Sequence, residues 1–503
     1  MRRVAALATV ACALGCGSPP RTHGPPPAPR ASAVPSASAA PSAAALDPHF
    51  REHEPPLGPQ APIAMPHVRE SRLANGMRML VANTGGGMFA IRLVFPGPAS
   101  FPAERPAVVQ VMVNALFGGT PTHDAHELRR VFEKRFASFT ALTTPDAVMI
   151  DLTMPDDDVR PCIDVLADVV QHPIFDKLTI GFEQLQLVEQ GQTSRESPET
   201  VGYRVLARSI FGDKHGYARP SMILEGSPNI DGAEVQRVYQ AIMNPEQATV
   251  IVAGAAEHGL VEHVERELGS WRMPNHGTAT PLAPATWKGG ARLVVVDRPG
   301  AVQSQIFFGG LAPARSSPDF YAMTLVDELL GAHRTSRITR ALVQRDASSY
   351  AGATHYDAMR AGGLFYWDSS VPLAKTSAAL GEIDAQLGAL GRTAPPADEL
   401  DVWKETYVRR LPFAAETARA TTREIADIPI DGLPVDALDR IEPNVRAVTP
   451  EAVRALAAAR LSPDHTRAIV VGDWAKLKKD LKALGWGPIE LRDPDGKLLR
   501  TEK

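Results

Sequence analysis

The chain has 503 residues, 44% of them hydrophobic and 22% charged, with a formal net charge of −4. That length allows roughly two to four domains, and the apolar share is enough for most of the chain to bury a core. The balance of charge excludes an electrostatic footprint for nucleic acid, three cysteines exclude a disulfide framework, and no apolar run reaches the roughly 18 residues of a membrane-spanning helix.

Arg2 and Arg3 open the chain, residues 4–14 are a short apolar stretch, and Gly15-Cys16 closes it with small residues. This is the pattern of an exported segment that is cleaved, not of a spanning helix. Ala13-Leu14-Gly15-Cys16 resembles the bacterial lipobox, which implies a signal over residues 1–16 and acylation of Cys16; an ordinary signal peptide with a coincidental cysteine is the other reading. Gly17, standing where an Asp would signal inner-membrane retention, points to an anchored lipoprotein on the periplasmic face of the outer membrane. Residues 17–66 are rich in Pro, Ala and Ser and poor in groups that could offset ordering entropy. They read as an extended tether reaching on the order of 100 Å.

From residue 67 the pattern changes. Short β-rich runs at 79–82 and 89–95 flank Gly85-Gly86-Gly87, which reads as a hairpin turn. Helical periodicity follows at 106–117 and 126–136, then a strand at 148–154 and a helix at 158–171. The second half repeats the order: strand 304–308, helix 319–330, strand 364–370, helix 376–390. Apolar strands at 249–254 and 467–472 sit near the end of each half. The repetition predicts an internal duplication, with one α/β domain over 67–272, a Pro/Thr/Ala-rich linker over 273–290, a second domain over 291–495 and a tail over 496–503.

The ordered landmarks then carry a resemblance. Leu73-Ala74-Asn75-Gly76-Met77-Arg78, Ala115-Leu116-Phe117-Gly118-Gly119-Thr120, Asp168 through Phe175, His215-Gly216-Tyr217-Ala218-Arg219-Pro220, Asn244-Pro245-Glu246, Gly432 through Asp436 and Val448-Thr449-Pro450-Glu451 resemble, in sequence order, segments of the pitrilysin/insulinase zinc metalloproteases, also called inverzincins. The likeness is to the short bacterial and mitochondrial-processing-peptidase branch. It implies an α/β fold of the α+β type: two homologous mixed domains of the metalloprotease LuxS/processing-peptidase-like kind, forming half of a clamshell.

That family holds zinc with two His and one Glu, leaving a position for water, and its H-x-x-E-H places both His on one helix face with a general-base Glu between them. Aligned on Leu116-Phe117-Gly118-Gly119-Thr120, the motif falls on Gln110, Val113 and Asn114, and the third ligand falls on Gln190; Glu183 matches the family's non-ligand Glu. Three neutral amides offer neither imidazole nitrogen nor compensating charge, and valine cannot accept a proton. The resemblance therefore implies a zinc cofactor for the family and none here. Of the family's substrate-holding Arg/Tyr pair, Tyr350 matches the Tyr, while Val343 stands in the Arg position and Arg345 is nearby. Tyr350 reads equally as a substrate contact or as an ordinary packed or interfacial tyrosine.

The function implied is that of a catalytically inactive metallopeptidase-like lipoprotein, the peptide-binding or scaffolding subunit beside a zinc-bearing homologue in proteolysis. A stand-alone homodimeric peptide-binding or structural module is the alternative from another class, and a metalloendopeptidase with displaced zinc ligands is the third. Other histidines read blandly: His123 and His126 as a solvated helix start, His258 and His263 as part of a solvated charged helix, and His333, His355 and His465 as lacking spaced partners. Cys162 reads as a buried small hydrophobe.

Overall fold

The computed structural model describes residues 63, 65–97, 106–218, 229–255, 259–273, 282–345, 349 and 351–503. The signal and almost all of the tether, including Cys16, lie outside the described residues, as do Tyr350 and the side chain of Arg345. Among the described residues no helix is long and apolar enough to cross a membrane.

Both halves are mixed α/β. The first comprises strands β1 (Val68–Arg72), β2 (Arg78–Asn83), β3 (Met88–Pro96), β4 (Ser138–Thr143), β5 (Ala147–Pro155) and β6 (Thr249–Gly254). Its helices are α1 (Ala107–Ala115), α2 (Ala125–Glu133), α3 (Arg160–Gln171), α4 (Lys177–Glu196), α5 (Pro198–Phe211), α6 (Gly232–Ile242) and α7 (Leu260–Gly269). The second half has strands β7 (Leu293–Asp297), β8 (Gln303–Ala312), β9 (Gly352–Asp357), β10 (Gly363–Pro372), β11 (Arg467–Gly472), β12 (Ile489–Arg492) and β13 (Leu498–Glu502). Its helices are α8 (Phe320–Leu330), the turn α9 (Arg337–Thr339), α10 (Thr376–Arg392), α11 (Ala397–Ala414), α12 (Ala418–Asp431), α13 (Ile441–Ala447), α14 (Pro450–Arg460) and α15 (Trp474–Ala483).

The sheets run β1-β2-β6-β3-β5-β4 and β13-β12-β7-β11-β8-β10-β9. Superposing β2, β6, β3, β5 and β4 on β7, β11, β8, β10 and β9 gives one strand order twice. The topology corrects the hairpin expected at Gly85–Gly87. β6 inserts between β2 and β3, parallel to one and antiparallel to the other, so these two strands never pair. β6 and β11 are buried on both faces, which is why each appears as an unbroken apolar run.

One face of each sheet is covered by helices of its own half. Phe89, Ile91, Leu93 and Phe95 of β3 pack with α1, α3, α6 and α7. The alternate residues, Ala90, Arg92 and Val94, face the other way, and there the cover is α12 from the second half. Ala90 and Ala253 let Ala418 of α12 approach closely. Reciprocally, α5 from the first half packs Val201, Val205 and Ile210 on Val294, Phe307, Ile469 and Val471 of the second sheet. Buried Arg467 of β11 reinforces that contact by donating to the carbonyls of Ser209, Gly289 and Ala291. The halves have thus exchanged helices.

Gly202 shows how close the exchange brings the layers. A Cβ there would lie 2.3 Å from the Phe307 ring. A mid-helix glycine costs about 1 kcal/mol relative to alanine, a loss this contact explains. Gly202→Val is expected to destabilise the protein by roughly 1–3 kcal/mol. In denaturant unfolding, the double variant with Phe307→Leu should lose less than the sum of the two single losses.

Candidate functional site

α1 starts at Pro106 without a side-chain cap and is held by burial instead: Val108, Val109, Val111, Met112, Val113 and Ala115 are all in the core. Gln110 is half-buried and Asn114 exposed, one turn apart on the same side. The Gln110 Nε2 donates to Asn114 Oδ1 at 2.9 Å, so the two amides are linked by one hydrogen bond. Val113, three residues after Gln110, is fully buried. α4 packs against α1, capped at its start by Asp176, whose carboxylate accepts from the Leu178 and Thr179 backbone N–H groups. Glu183 on α4 is half-buried and Gln190 exposed. Among the described residues Gln190 makes no hydrogen bond to Gln110 or Asn114.

The packing places the three amides on two neighbouring helices, but their chemistry does not fit zinc. Two helix carboxamides bonded to each other supply weak oxygen donors and no charge, and the position between them is apolar and closed to water. This corner therefore supports no catalytic step through a metal.

The turns around this corner have structural work of their own. Asp168 accepts from the Thr122 hydroxyl at 2.6 Å and pairs with His172 Nδ1 at 3.1 Å, stapling α3 to the loop that leaves α1. Burial opposes its charge, but these bonds outweigh it and hold its carboxyl below the usual range. Asp124 forms a capping box with Glu127 at the start of α2, so His123 and His126 flank a solvated helix start. Tyr217 crosses between the halves, donating to Asp146 Oδ1 at 2.8 Å and accepting from the Ala361 backbone N–H at 2.7 Å.

Several histidines acquire partners that spacing could not show. His263, expected on a solvated face, is only 5% exposed, because α7 lays that side on α3. Its Nε2 meets Asp164 Oδ1 at 2.6 Å and its Nδ1 meets the Arg266 guanidinium. With Glu267, His263 and Asp164 form the one group of metal-ligating side chains gathered within 4.8 Å among the described residues. Both ring nitrogens are engaged and an arginine sits on one, so the cluster reads as an ion-paired clip between helices, not as displaced zinc ligands. His333 pairs with buried Glu328, and His355 with Asp368 at 2.7 Å. Cys162 is fully buried and its thiol is pushed up to about 11 by burial.

Comparison with known proteins places this geometry. Residues 110–217 match the family model described as Insulinase (Peptidase family M16), and residues 229–407 match that described as Peptidase M16 inactive domain. The chain belongs to the insulinase/pitrilysin family. A zinc protease of Bacillus subtilis, YmxG, itself uncharacterised, is 19% identical over 406 residues, covering 80% of this chain and 98% of that protein. The crystal structure of a peptidase M16 inactive domain from Pseudomonas fluorescens matches with a TM-score of 0.74 at 18% identity, over 81% of this chain and 98% of the other. That of a protease from Helicobacter pylori matches at 0.76 and 16% identity, over 81% and 100%. Within the insulinase family, the inactive-domain match falls on the second half of this chain, and the first half matches the peptidase model that starts at Gln110.

If α1 and α4 retain the family's backbone arrangement, restoring the donors should restore the metal. Gln110→His, Asn114→His and Gln190→Glu together are expected to bring zinc from well below one to about one per chain by elemental analysis after dialysis. Val113 is left untouched to spare the core. Stoichiometric zinc on the unaltered chain would contradict the assignment.

Proposed function

We propose that this chain is the non-catalytic peptide-binding or scaffolding subunit of a zinc protease dimer in proteolysis, exported and anchored by a lipid on Cys16 to the periplasmic face of the outer membrane. The observation that carries the reading is the amide pair on α1. The family architecture is retained through both halves, while Gln110, Val113, Asn114 and Gln190 remove every ligand and the base. In this reading the zinc comes from a homologous partner, and the two chains together close a chamber. The N-terminal sequence supports the anchoring, with Arg2-Arg3, an apolar stretch and the lipobox-like Ala13-Leu14-Gly15-Cys16 followed by a long Pro/Ala/Ser-rich tether.

Two surfaces support partnership and peptide binding. β4 is the last strand of its sheet and packs beside α1, with Phe139 against Phe117. An edge strand offers backbone groups to which an extended peptide can add. On α4, Leu178, Phe182 and Leu185 form an exposed stripe opposite the buried Ile180 and Leu187. An apolar stripe of this kind is unusual on a lone soluble surface and common at an interface.

Purification of the full chain from membranes of its native host tests the proposal. It should bring down a related protein with an intact H-x-x-E-H, mass spectrometry should find the N-terminus at acylated Cys16, and the isolated chain should cleave no peptide. A stable homodimer without such a partner would favour the stand-alone module. Chelator-sensitive cleavage by the isolated chain would restore the metalloendopeptidase reading.

A further inference from the structure

A cavity of about 1010 Å³ lies away from the α1–α4 corner, between the β4–β5 turn, the β9–β10 turn and one face of α12. α12 brings Glu424, Asp427 and Asp431 to it, spaced three and four residues apart, and the β4–β5 turn adds Asp146. Among the surrounding charges, Arg419 and Arg423 of α12 also line the cavity, and the following groups are engaged. Arg92 holds Asp151 through two bonds of 2.6 and 2.7 Å, and Arg315 reaches Asp427 at 3.4 Å while stacking on Phe320. Asp146 accepts from Tyr217 and from the Arg360 backbone N–H.

Asp431 is different. It is only 8% exposed, lines the cavity, and its Oδ1 is buried without a hydrogen-bond partner. Three effects oppose its charge. It is buried, it follows Asp427 by one helical turn, and it is the last residue of α12, where the helix dipole disfavours an anion. Burial first, then Asp427 and Asp146, push its carboxyl up to about 8, and Arg315 and Arg360 offset this only in part. Glu424 is pushed up to about 7 by burial and by Asp427, with Arg423 and Arg315 opposing. Left without a protein partner among the described residues is therefore the buried Oδ1 of Asp431 at a cavity wall, and a donor on a bound cation would satisfy it.

The spacing selects the kind of cation. Among the described residues no three of these carboxylates gather within 4.8 Å, so a bare metal ion would lack a coordination shell. The volume instead has room for an extended molecule, and Leu142, Met149, Met359, Phe413 and Ile430 offer apolar wall to an aliphatic stem. We propose that this cavity binds an organic cation, a primary ammonium or a guanidinium, with its charged nitrogen held by Asp431 and flanked by Glu424 and Asp427. A lysine or arginine side chain of a polypeptide and a free polyamine share this chemistry. The site does not depend on the subunit reading above.

Calorimetric titration of the full chain at pH 8.5 and low salt tests it, using acetyl-Ala-Arg-Ala-amide, spermidine, and the neutral citrulline analogue of the peptide. One cation per chain is expected, with the citrulline peptide at least tenfold weaker and with at least a tenfold loss of affinity in Asp431→Asn. Binding of the arginine peptide alone assigns the source to polypeptide, and binding of spermidine alone assigns it to a free amine. Failure of both cations overturns the site, as does binding that neither Asp431→Asn nor Glu424→Gln weakens. Calcium binding that Asp431→Asn abolishes, with no organic cation bound, also overturns it.

The same variant reports on its own fold. Folded Asp431 keeps its proton up to about 8, whereas the free group releases it near 3.8, so the protein loses stability as pH rises through that interval. Asp431→Asn should therefore melt about 2 °C or more above the unaltered chain at pH 8.5, the gap closing towards pH 4. A lower melting temperature at pH 8.5 would mean that Asp431 is already paired and would overturn the proposal.

Discussion

Each sheet has one face that its own half leaves bare, and the helix that covers it comes from the other half. α12 lies on Ala90, Val94 and Ala253 of the first sheet, and α5 lies on Phe307, Ile469 and Val471 of the second. Neither face could stay open to water: each is a contiguous apolar surface, and burying it supplies about 25 cal/mol per Å². The exchange makes the two halves one cooperative body despite their separate sheets. It also brings the charges of α12 against a sheet whose own half carries few there, and the inter-half cavity follows from that.

The same constraint bears on which side chains the α1–α4 corner tolerates. α1 is held by its apolar flank, with Val111, Met112 and Val113 in the core, and its polar side adds little to that packing. Amides at Gln110 and Asn114 bond to each other and leave no buried group unsatisfied. Replacing a buried general base by valine removes an ionisable group from an apolar place, a change that favours the fold. Loss of the metal chemistry is therefore compatible with a sound scaffold. The acids of α12 show the opposite balance, since Asp431 has a buried Oδ1 with no partner and burial pushes its carboxyl up to about 8.

Unbroken apolar strands and helices with one buried face were legible from sequence. The runs at 249–254 and 467–472 coincide with β6 and β11, and the helix at 376–390 with most of α10. Edge strands were not: β1 is Val-Arg-Glu-Ser-Arg, exposed beyond its first residue, with no apolar alternation to betray it. α4 escaped because apolar residues occupy two opposite faces. α11 and α12 carry Pro412 and Pro429 inside their last turns, where a proline normally argues against a helix. Of the candidate site, the sequence offered Gln110, Val113, Asn114 and Gln190 by their flanking landmarks, and the structure puts them on α1 and the adjoining α4. The acids at Glu424, Asp427 and Asp431 were visible only as a spacing on a helix not yet recognised.

By itself the sequence determined the family and the duplicated α/β order, because these depend on residue type and local periodicity. The tertiary structure alone decided which strand separates β2 from β3, which helix covers which sheet, that His263 is buried against Asp164, and that Asp431 stands with its Oδ1 unpartnered. Those outcomes depend on contacts between residues far apart in the chain. Pairing and burial over such separations are settled by which surfaces exclude water together, and no local pattern encodes that.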